Sequence, residues 1–242
     1  MSLLKIDSSL RDPFSPGFHD FTIRLSDTIS GRYSLKQMYI PNSFFNVHEG
    51  NNRFSFTENG SQKTAILNTG FYTASNIASV LTTAMNAAGG NQYVCEINTL
   101  SSKFTITGNG GAPFTLNFGT SGGNSTSSIA AMLGFKNENT SPAATVTSTY
   151  PINLSPIKSY NVIINNETSV LSTNGNSYTF TVPITVPAQG IDIYEPGAAG
   201  FQQTVDLRSS NQLKIKVVDD QQQPIRLQAD WYMILRKEEA SL

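Results

Sequence analysis

Residues 21 to 25, Phe21-Thr22-Ile23-Arg24-Leu25, alternate strictly between apolar and polar, the period-two signature of a half-buried strand. A second run, Ser34 to Ile40, places Leu35 and the pair Met38 and Ile40 less regularly and ends at Pro41. Between the two runs, Ser30-Gly31-Arg32 is a turn signal. The first twenty residues, with Asp12-Pro13 and Ser15-Pro16-Gly17, read as an extended arm.

From about Asn46 the texture changes. Phe54 to Thr57 and Thr64 to Leu67 form a hairpin pattern across Asn59-Gly60, a favoured two-residue turn. One helix stands out, because Ile77, Val80, Leu81, Ala84 and Met85 make a single apolar stripe. Thr73 or Ser75 is expected to cap its start, and Gly89-Gly90 its end. Three strand patterns follow, at Tyr93 to Ile97, Phe104 to Thr107 and Phe114 to Phe118. Ser127 to Leu133 then reads as a short helix, with Gly134 and Phe135 supplying a C-terminal cap and its apolar contact.

After Ser141-Pro142 only strand patterns remain. They fall at Thr145 to Thr149, Lys158 to Asn165, Ser177 to Val182, Phe201 to Leu207, Gln212 to Val218 and Leu227 to Leu235. Turn residues punctuate them, among them Asn174-Gly175-Asn176, Ser209-Ser210-Asn211 and Asp219-Asp220. Six runs here and two before residue 46 make the eight that an antiparallel jelly roll needs. The expected fold is mainly β: a single jelly-roll sandwich with an inserted small α+β module. Its parts are an N-terminal arm (1–20), the sandwich (21–45 and 140–242) and the insert (46–139).

Composition supports a β-rich chain. Of 242 residues, 38% are hydrophobic and only 14% charged, where about a quarter is usual. Asn, Ser, Thr, Gln and Gly make up the balance, which suits outward strand positions, turns and surfaces that touch other chains. With a net charge of −1 and no basic block, no specific nucleic-acid partner is expected. Arg236-Lys237-Glu238-Glu239 neutralises itself. Cys95 is the single cysteine, so no internal disulfide forms, as suits a reducing compartment. The N-terminus lacks a secretory signal and no window is long and apolar enough for a spanning helix. A soluble chain made in the cytosol is expected.

Candidate chemistry is sparse. His19, His48 and Cys95 are too scattered to suggest a zinc site. In a strand Cys95 shares a face with Tyr93 and Ile97, which favours an inert buried thiol over a nucleophilic pair with His48. No Gly-X-Ser-X-Gly elbow is present. Gly108-Asn109-Gly110-Gly111 lacks the following Lys-Ser/Thr of a phosphate loop and leads into another strand, so it reads as a turn. Asp219-Asp220 reads as a turn before it reads as a calcium site. No catalytic residue, cofactor site or metal site is nominated, and no enzyme is expected. Phe44-Phe45, beside Tyr39 and Pro41, either covers the end of the sandwich or anchors a partner, with the core favoured. In Trp231-Tyr232 alternation buries one ring and turns the other outward.

The series Ile40-Pro41-Asn42-Ser43-Phe44-Phe45-Asn46-Val47, Asn51-Asn52-Arg53-Phe54-Ser55-Phe56, Gly70-Phe71-Tyr72-Thr73 and Leu133-Gly134-Phe135 carries a resemblance. Over about residues 34 to 135 the chain resembles the penton and minor capsid proteins of virophages, polinton-like viruses and related large double-stranded DNA viruses. That resemblance implies a single jelly roll, a homopentamer at a fivefold vertex, and contacts to the major capsid protein and to other minor capsid proteins. It implies a place in the virion after assembly inside the host cell, and no catalytic residues. The alternative is a receptor- or carbohydrate-binding β module of a viral tail or fibre, with Tyr72, Tyr150 and Tyr178 as stacking candidates. On the vertex reading, deleting the arm is expected to impair assembly and leave the monomer folded.

Overall fold

The computed structural model describes residues 2–119, 129–155, 157–167, 170–171, 175–196 and 202–239. Its first strands are β1 (Leu3–Asp7) and β2 (Asp20–Pro41). Next come β3 (Arg53–Glu58), β4 (Ser61–Ile66), helix α1 (Ile77–Ala88), β5 (Tyr93–Ile97), β6 (Lys103–Gly108), β7 (Phe114–Leu116) and β8 (Thr145–Pro151). The rest are β9 (Ser159–Ile164), β10 (Val170–Leu171), β11 (Ser177–Tyr178), β12 (Phe180–Pro183), β13 (Ile191–Tyr194), β14 (Thr204–Val218) and β15 (Tyr232–Lys237). The chain forms two compact units, Met1–Phe44 with Ile157–Leu242, and Phe45–Pro156.

The first unit is an antiparallel sheet in the order β1-β15-β2-β14-β9-β12, with β13 also paired to β2. Its described part contains no α-helix to cover the buried face. The inward side chains of its own strands cover one another in one core: Phe21, Ile23, Tyr33, Leu35, Met38 and Ile40 from β2 meet Val205, Leu207, Leu213 and Ile215 from β14. A sheet that supplies both sides of its own core must curl. The fold is therefore mainly β, with the curled antiparallel sheet expected of a jelly roll.

The curl arises where the sequence carries turn signals. Ser30-Gly31-Arg32 and Ser209-Ser210-Asn211 do not end strands; they lie beside each other in one continuous ladder. Gly31 stands opposite Leu207 and Ile29 opposite Ser210, with register shifts on either side of Ser210. Gly31 has φ +110°, a conformation that favours glycine, so the chain bends without breaking. Both strands thus bend together and keep their pairing. The irregular spacing of Leu35, Met38 and Ile40 has a similar cause. Between the pairs Leu35–Leu235 and Gln37–Ile234, Lys36 is an extra residue in β2, a bulge that moves the inward positions from odd to even numbers.

The N-terminal segment is not a free arm. β1 pairs with β15 from Leu3–Arg236 to Asp7–Tyr232, and Ile6 is fully buried. Beyond it, Ser8 is held by Trp231 N–H (2.9 Å) and Asp230 (2.8 Å). Turn residues after position 10 disguise a strand before it.

The second unit packs α1 with two three-stranded sheets, β4-β3-β7 and β5-β6-β8. Asn59 (φ 48°) and Gly60 (φ 73°) make the expected two-residue hairpin turn. Helix α1 buries Ile77, Leu81 and Met85. Neither Thr73 nor Ser75 caps it; their hydroxyls bond each other (2.7 Å), and Asn76 at the cap position accepts Thr73 N–H instead (2.9 Å). Residues 127–128 lie outside the described residues, and 129–134 form a turn and no longer helix. Its end is nonetheless capped as expected: Phe135 N–H reaches Ala130 O (2.8 Å) and Gly134 N–H reaches Ala131 O (3.1 Å), a Schellman pair. The strand at Thr145 to Thr149, expected in the sandwich, is part of β8 and pairs with β6 here, Thr147 opposite Thr105. Alternation identifies a strand and leaves its partner open, and Val146 buries itself in this second core.

Candidate assembly surface

The residues that face outward from the first unit are set by strand parity. β13 runs beside β2 with Ile191 opposite Pro41 and Ile193 opposite Tyr39. On the other side of β2, Tyr39 stands opposite Tyr232 of β15, and Tyr232 opposite Asp7 of β1. Since Asp192, Ile40, Met233 and Ile6 point inward and are buried, the row Ile193–Tyr39–Tyr232 points out. Its rings stack at 5.2 Å and 5°. Lys5 lies 4.7 Å over Tyr232 and 2.8 Å from Asp7, closing the row with a cation–π contact and an ion pair. Burial opposes ionisation of Asp7, but Lys5 and two hydrogen bonds from Ser9 hold its carboxyl below the usual range.

Ile191 and Ile193 are 44% and 61% exposed, and Leu3 at the start of β1 is 62% exposed. An apolar strip across three strands, β13, β2 and β15, is a feature of contact surfaces. Farther along the same unit, Phe14 is 94% exposed at the tip of a fixed turn. Asp12 accepts Phe14 N–H (3.0 Å) and Ser15 Oγ accepts Thr22 N–H (3.1 Å), so the ring is held out by hydrogen bonds that fix its backbone. Leu10 stands exposed nearby in sequence. Sequence reading missed Leu3, Leu10, Phe14, Ile191 and Ile193. Alternation required one ring of Trp231-Tyr232 to turn outward, but only the register shows that Tyr232 meets Tyr39.

The residues singled out from the sequence divide clearly. Trp231 is buried, edge-on to Phe21 and bonded to Phe18 O (2.7 Å), while Tyr232 faces out, as alternation implied. Phe44 joins the core and Phe45 is 38% exposed. Of the three stacking candidates only Tyr150 presents its ring; Tyr72 is buried, and Tyr178 is buried with its hydroxyl on Asp220 O (3.0 Å). Cys95 is buried 4.0 Å from Met85 sulfur, and burial pushes its thiol up to about 12, unsuited to attack as a thiolate. His48 is exposed and accepts Gly50 N–H (3.1 Å). Asp219 accepts Gln221 and Gln223 N–H (2.8 Å each), and Asp220 accepts Ser159 and Asn161, so both carboxylates fasten a turn. Gly108 to Gly111 connects β6 to β7. Among the described residues no group of three or more His, Cys, Asp or Glu is placed to hold a metal, and no helix is long and apolar enough to cross a membrane.

Compared with known proteins, the chain matches no protein-family model and no curated protein. Solved structures do match. The mavirus penton protein superposes with a TM-score of 0.50 at 12% identity, over 97% of this chain and 96% of that one. The likeness establishes the fold. A chain of the Sputnik virophage structure aligns over 97% of both chains at 13% identity, with a TM-score of 0.35.

Proposed function

We propose that the chain is a structural virion protein, a penton whose five copies close a fivefold vertex of an icosahedral capsid and meet the major capsid protein around it. The observation that carries this reading is the end-to-end similarity to the mavirus penton protein, which spans the curled sheet and the α+β unit alike. The motifs between Ile40 and Phe135 that resemble penton and minor capsid proteins support it from the sequence side. The role asks for no catalytic group. It asks for a surface that meets a different surface on the next copy, with a rotation that closes after five. The strip of Ile191, Ile193, Tyr39 and Tyr232 and the presented Phe14 are two such unlike features. Assembly takes place inside the host cell on this reading, and other minor capsid proteins are further neighbours.

Negative-stain imaging of the purified protein over a range of concentrations tests it. Fivefold rings are expected, and Ile193→Asp weakens them while the monomer stays folded. Threefold spikes would favour a tail or fibre module, and a protein monomeric at every concentration would count against both.

A further inference from the structure

Among the described residues the sheet of the first unit has three outer strands, β1 and β12 at the ends of its order and β13 beside β2. An outer strand carries backbone N–H and C=O groups that no neighbour takes up, a template for a further strand. At β12 the template is closed. The Gln203 side chain accepts Thr181 N–H (2.6 Å) and donates to Thr181 O (2.8 Å), standing in for a strand. Its own backbone oxygen accepts Leu35 N–H from β2 (3.1 Å), which holds the seal in place. The same accounting leaves β1 and β13 open, because ladder bonds alternate along an antiparallel pair. Lys237 N–H reaches Ser2 O and Ser8 N–H reaches Trp231 O (2.9 Å each), so the even residues of β1 bond β15. Leu3, Lys5 and Asp7 therefore turn their backbone groups to the free side. Asn42 N–H reaches Gly190 O (2.8 Å) and Asp192 lies opposite Ile40, so Ile191 and Ile193 do the same on β13. A lysine commonly guards such an edge. Lys5 does not, since its ammonium is folded back over Tyr232 of β15 (4.7 Å) and rests beside Asp7 (2.8 Å).

The two open edges terminate one run of strands, β13-β2-β15-β1, antiparallel at every step. β13 and β1 therefore point in opposite directions. Rotation about an axis along the strands keeps strand direction, so it sets β13 of one copy beside β1 of the next as an antiparallel pair. We propose that copies of this chain join edge to edge in this way, β13 adding to β1 of the next copy, so that one sheet passes from subunit to subunit around a closed ring. The occupant of each edge is a second copy because the two edges of one sheet match in direction, in free backbone groups and in exposed apolar side chains. They are also unlike, which makes the contact head-to-tail, as a ring requires. The register that matches side chains sets Ile193 opposite Leu3, both well exposed in the single chain. Lys5 then lies opposite Ile191, covering it with its methylenes while its charge stays with Asp7. Within one copy the row that begins at Ile193 passes through Tyr39 and Tyr232 and ends at Asp7, four residues from Leu3 on the same strand. This register thus advances by one residue per strand, the kind of stagger by which a closed sheet tilts its strands. The inference rests on the ring proposed above and supplies the contact that makes it.

Proline at a free-edge position removes an outward N–H and spares the ladder bonds within the subunit. Ile193→Pro and Ile193→Ala both lose the apolar side chain, and only the first loses the donor. By sedimentation of the full chain, Ile193→Pro should need about tenfold more protein than Ile193→Ala to form rings. Equal assembly of the two variants would overturn the edge pairing. Amide exchange of the unsubstituted chain reads the same bonds without a change that could disturb folding. Lys5 and Ile193 should exchange about tenfold or more slowly in rings than in dilute monomer, whereas Leu4 and Ile6, bonded to β15 in both, should change little. Rings in which Lys5 and Ile193 stay unprotected would overturn this contact and leave the penton reading standing. A chain that forms no ring at any concentration would overturn both.

Discussion

The two units reach a buried β core by opposite routes. In the second, pairing is largely local: Glu58 meets Ser61 across a two-residue turn, Ile97 meets Phe104, and α1, the one α-helix among the described residues, sits between these hairpins in the chain. In the first, Asp7 pairs with Tyr232 and Phe21 with Ile215, and no helix fills its described core. Local contacts form at small entropic loss, whereas distant strands must close long loops before their burial is gained. The second unit is therefore held by many short elements, each legible in its own stretch of sequence. The first depends on a few long strands drawn from both ends of the chain, and damage at a terminus reaches its centre.

The largest effect expected from this contrast follows loss of the N-terminal strand. A chain lacking residues 2–11 loses the buried Ile6, the pairing that covers Met233 and Leu235, and the Ser8 bonds to Trp231 and Asp230. Full burial of one such aliphatic side chain contributes about 1.5–3 kcal/mol, and the uncovered edge adds to it. The total, about 5 kcal/mol, rivals the entire stability of a typical domain. Trp231, the one tryptophan, lies in this unit, so the urea midpoint of its fluorescence reads the loss. A midpoint equal to that of the full chain would restore the free-arm expectation and break the contrast.

What was legible in the sequence follows the same division. The Asn59-Gly60 hairpin, the Ile77-Leu81-Met85 stripe and the Leu133-Gly134-Phe135 cap are short-range patterns, and each is found where it was expected. Gly134 shows why such signals are sharp: at φ +81°, a Cβ there would lie 2.0 Å from Tyr150 O. Strand partners were not legible. The run from Thr145 alternates as well as any run in the first unit, yet it pairs with β6. Turn residues at Gly31 and Ser210 predicted chain reversals, because nothing local reveals that the two signals face each other and bend one ladder. The contact strip was hidden for the same reason, since Ile193, Tyr39 and Tyr232 are neighbours by register alone.

A smaller effect sharpens the picture of the second unit. Glu58 is buried, and its carboxylate accepts Gly90 N–H, Asn91 N–H (3.1 Å) and Tyr93 O–H (2.7 Å), tying the end of α1 to β3 and β5. Gly89 makes room, because a Cβ there would stand 3.0 Å from the carboxylate. Burial opposes ionisation, but the three donors and Lys63 hold the carboxyl below its usual 4.5. Its stabilising contribution is therefore complete above about pH 4.5 and fades as pH falls through the lower folded value. Glu58→Ala strands three donors and should cost about 2–4 kcal/mol, read by the near-ultraviolet dichroism of the tyrosines. A variant as stable as the wild type at neutral pH would show that these bonds do not hold the unit together.

The smallest effect belongs to the first unit and falls in a different pH window. His19 lies in the turn before β2, where its backbone oxygen accepts Val217 N–H (2.8 Å) and its Nδ1 is buried. Burial lowers its pKa from 6.5; the Asp20 charge works against this and Arg226 adds to it. The folded chain thus prefers the neutral ring, and below about pH 6.5 the unfolded chain binds the extra proton first. Stability is complete above that value, declines as pH falls toward the lower folded pKa, and levels off beneath it. Between neutral pH and about pH 5 the loss should stay under about 1 kcal/mol, and His19→Gln should remove it. Carboxylates that begin to titrate in the same range affect both chains alike, so the difference between wild type and variant isolates the ring. Trp231 fluorescence should register that difference near pH 6, where Glu58 is still fully ionised and the second unit is unmoved. Equal slopes for the two proteins would mean that His19 is solvated in the folded chain and that acid acts on this unit elsewhere.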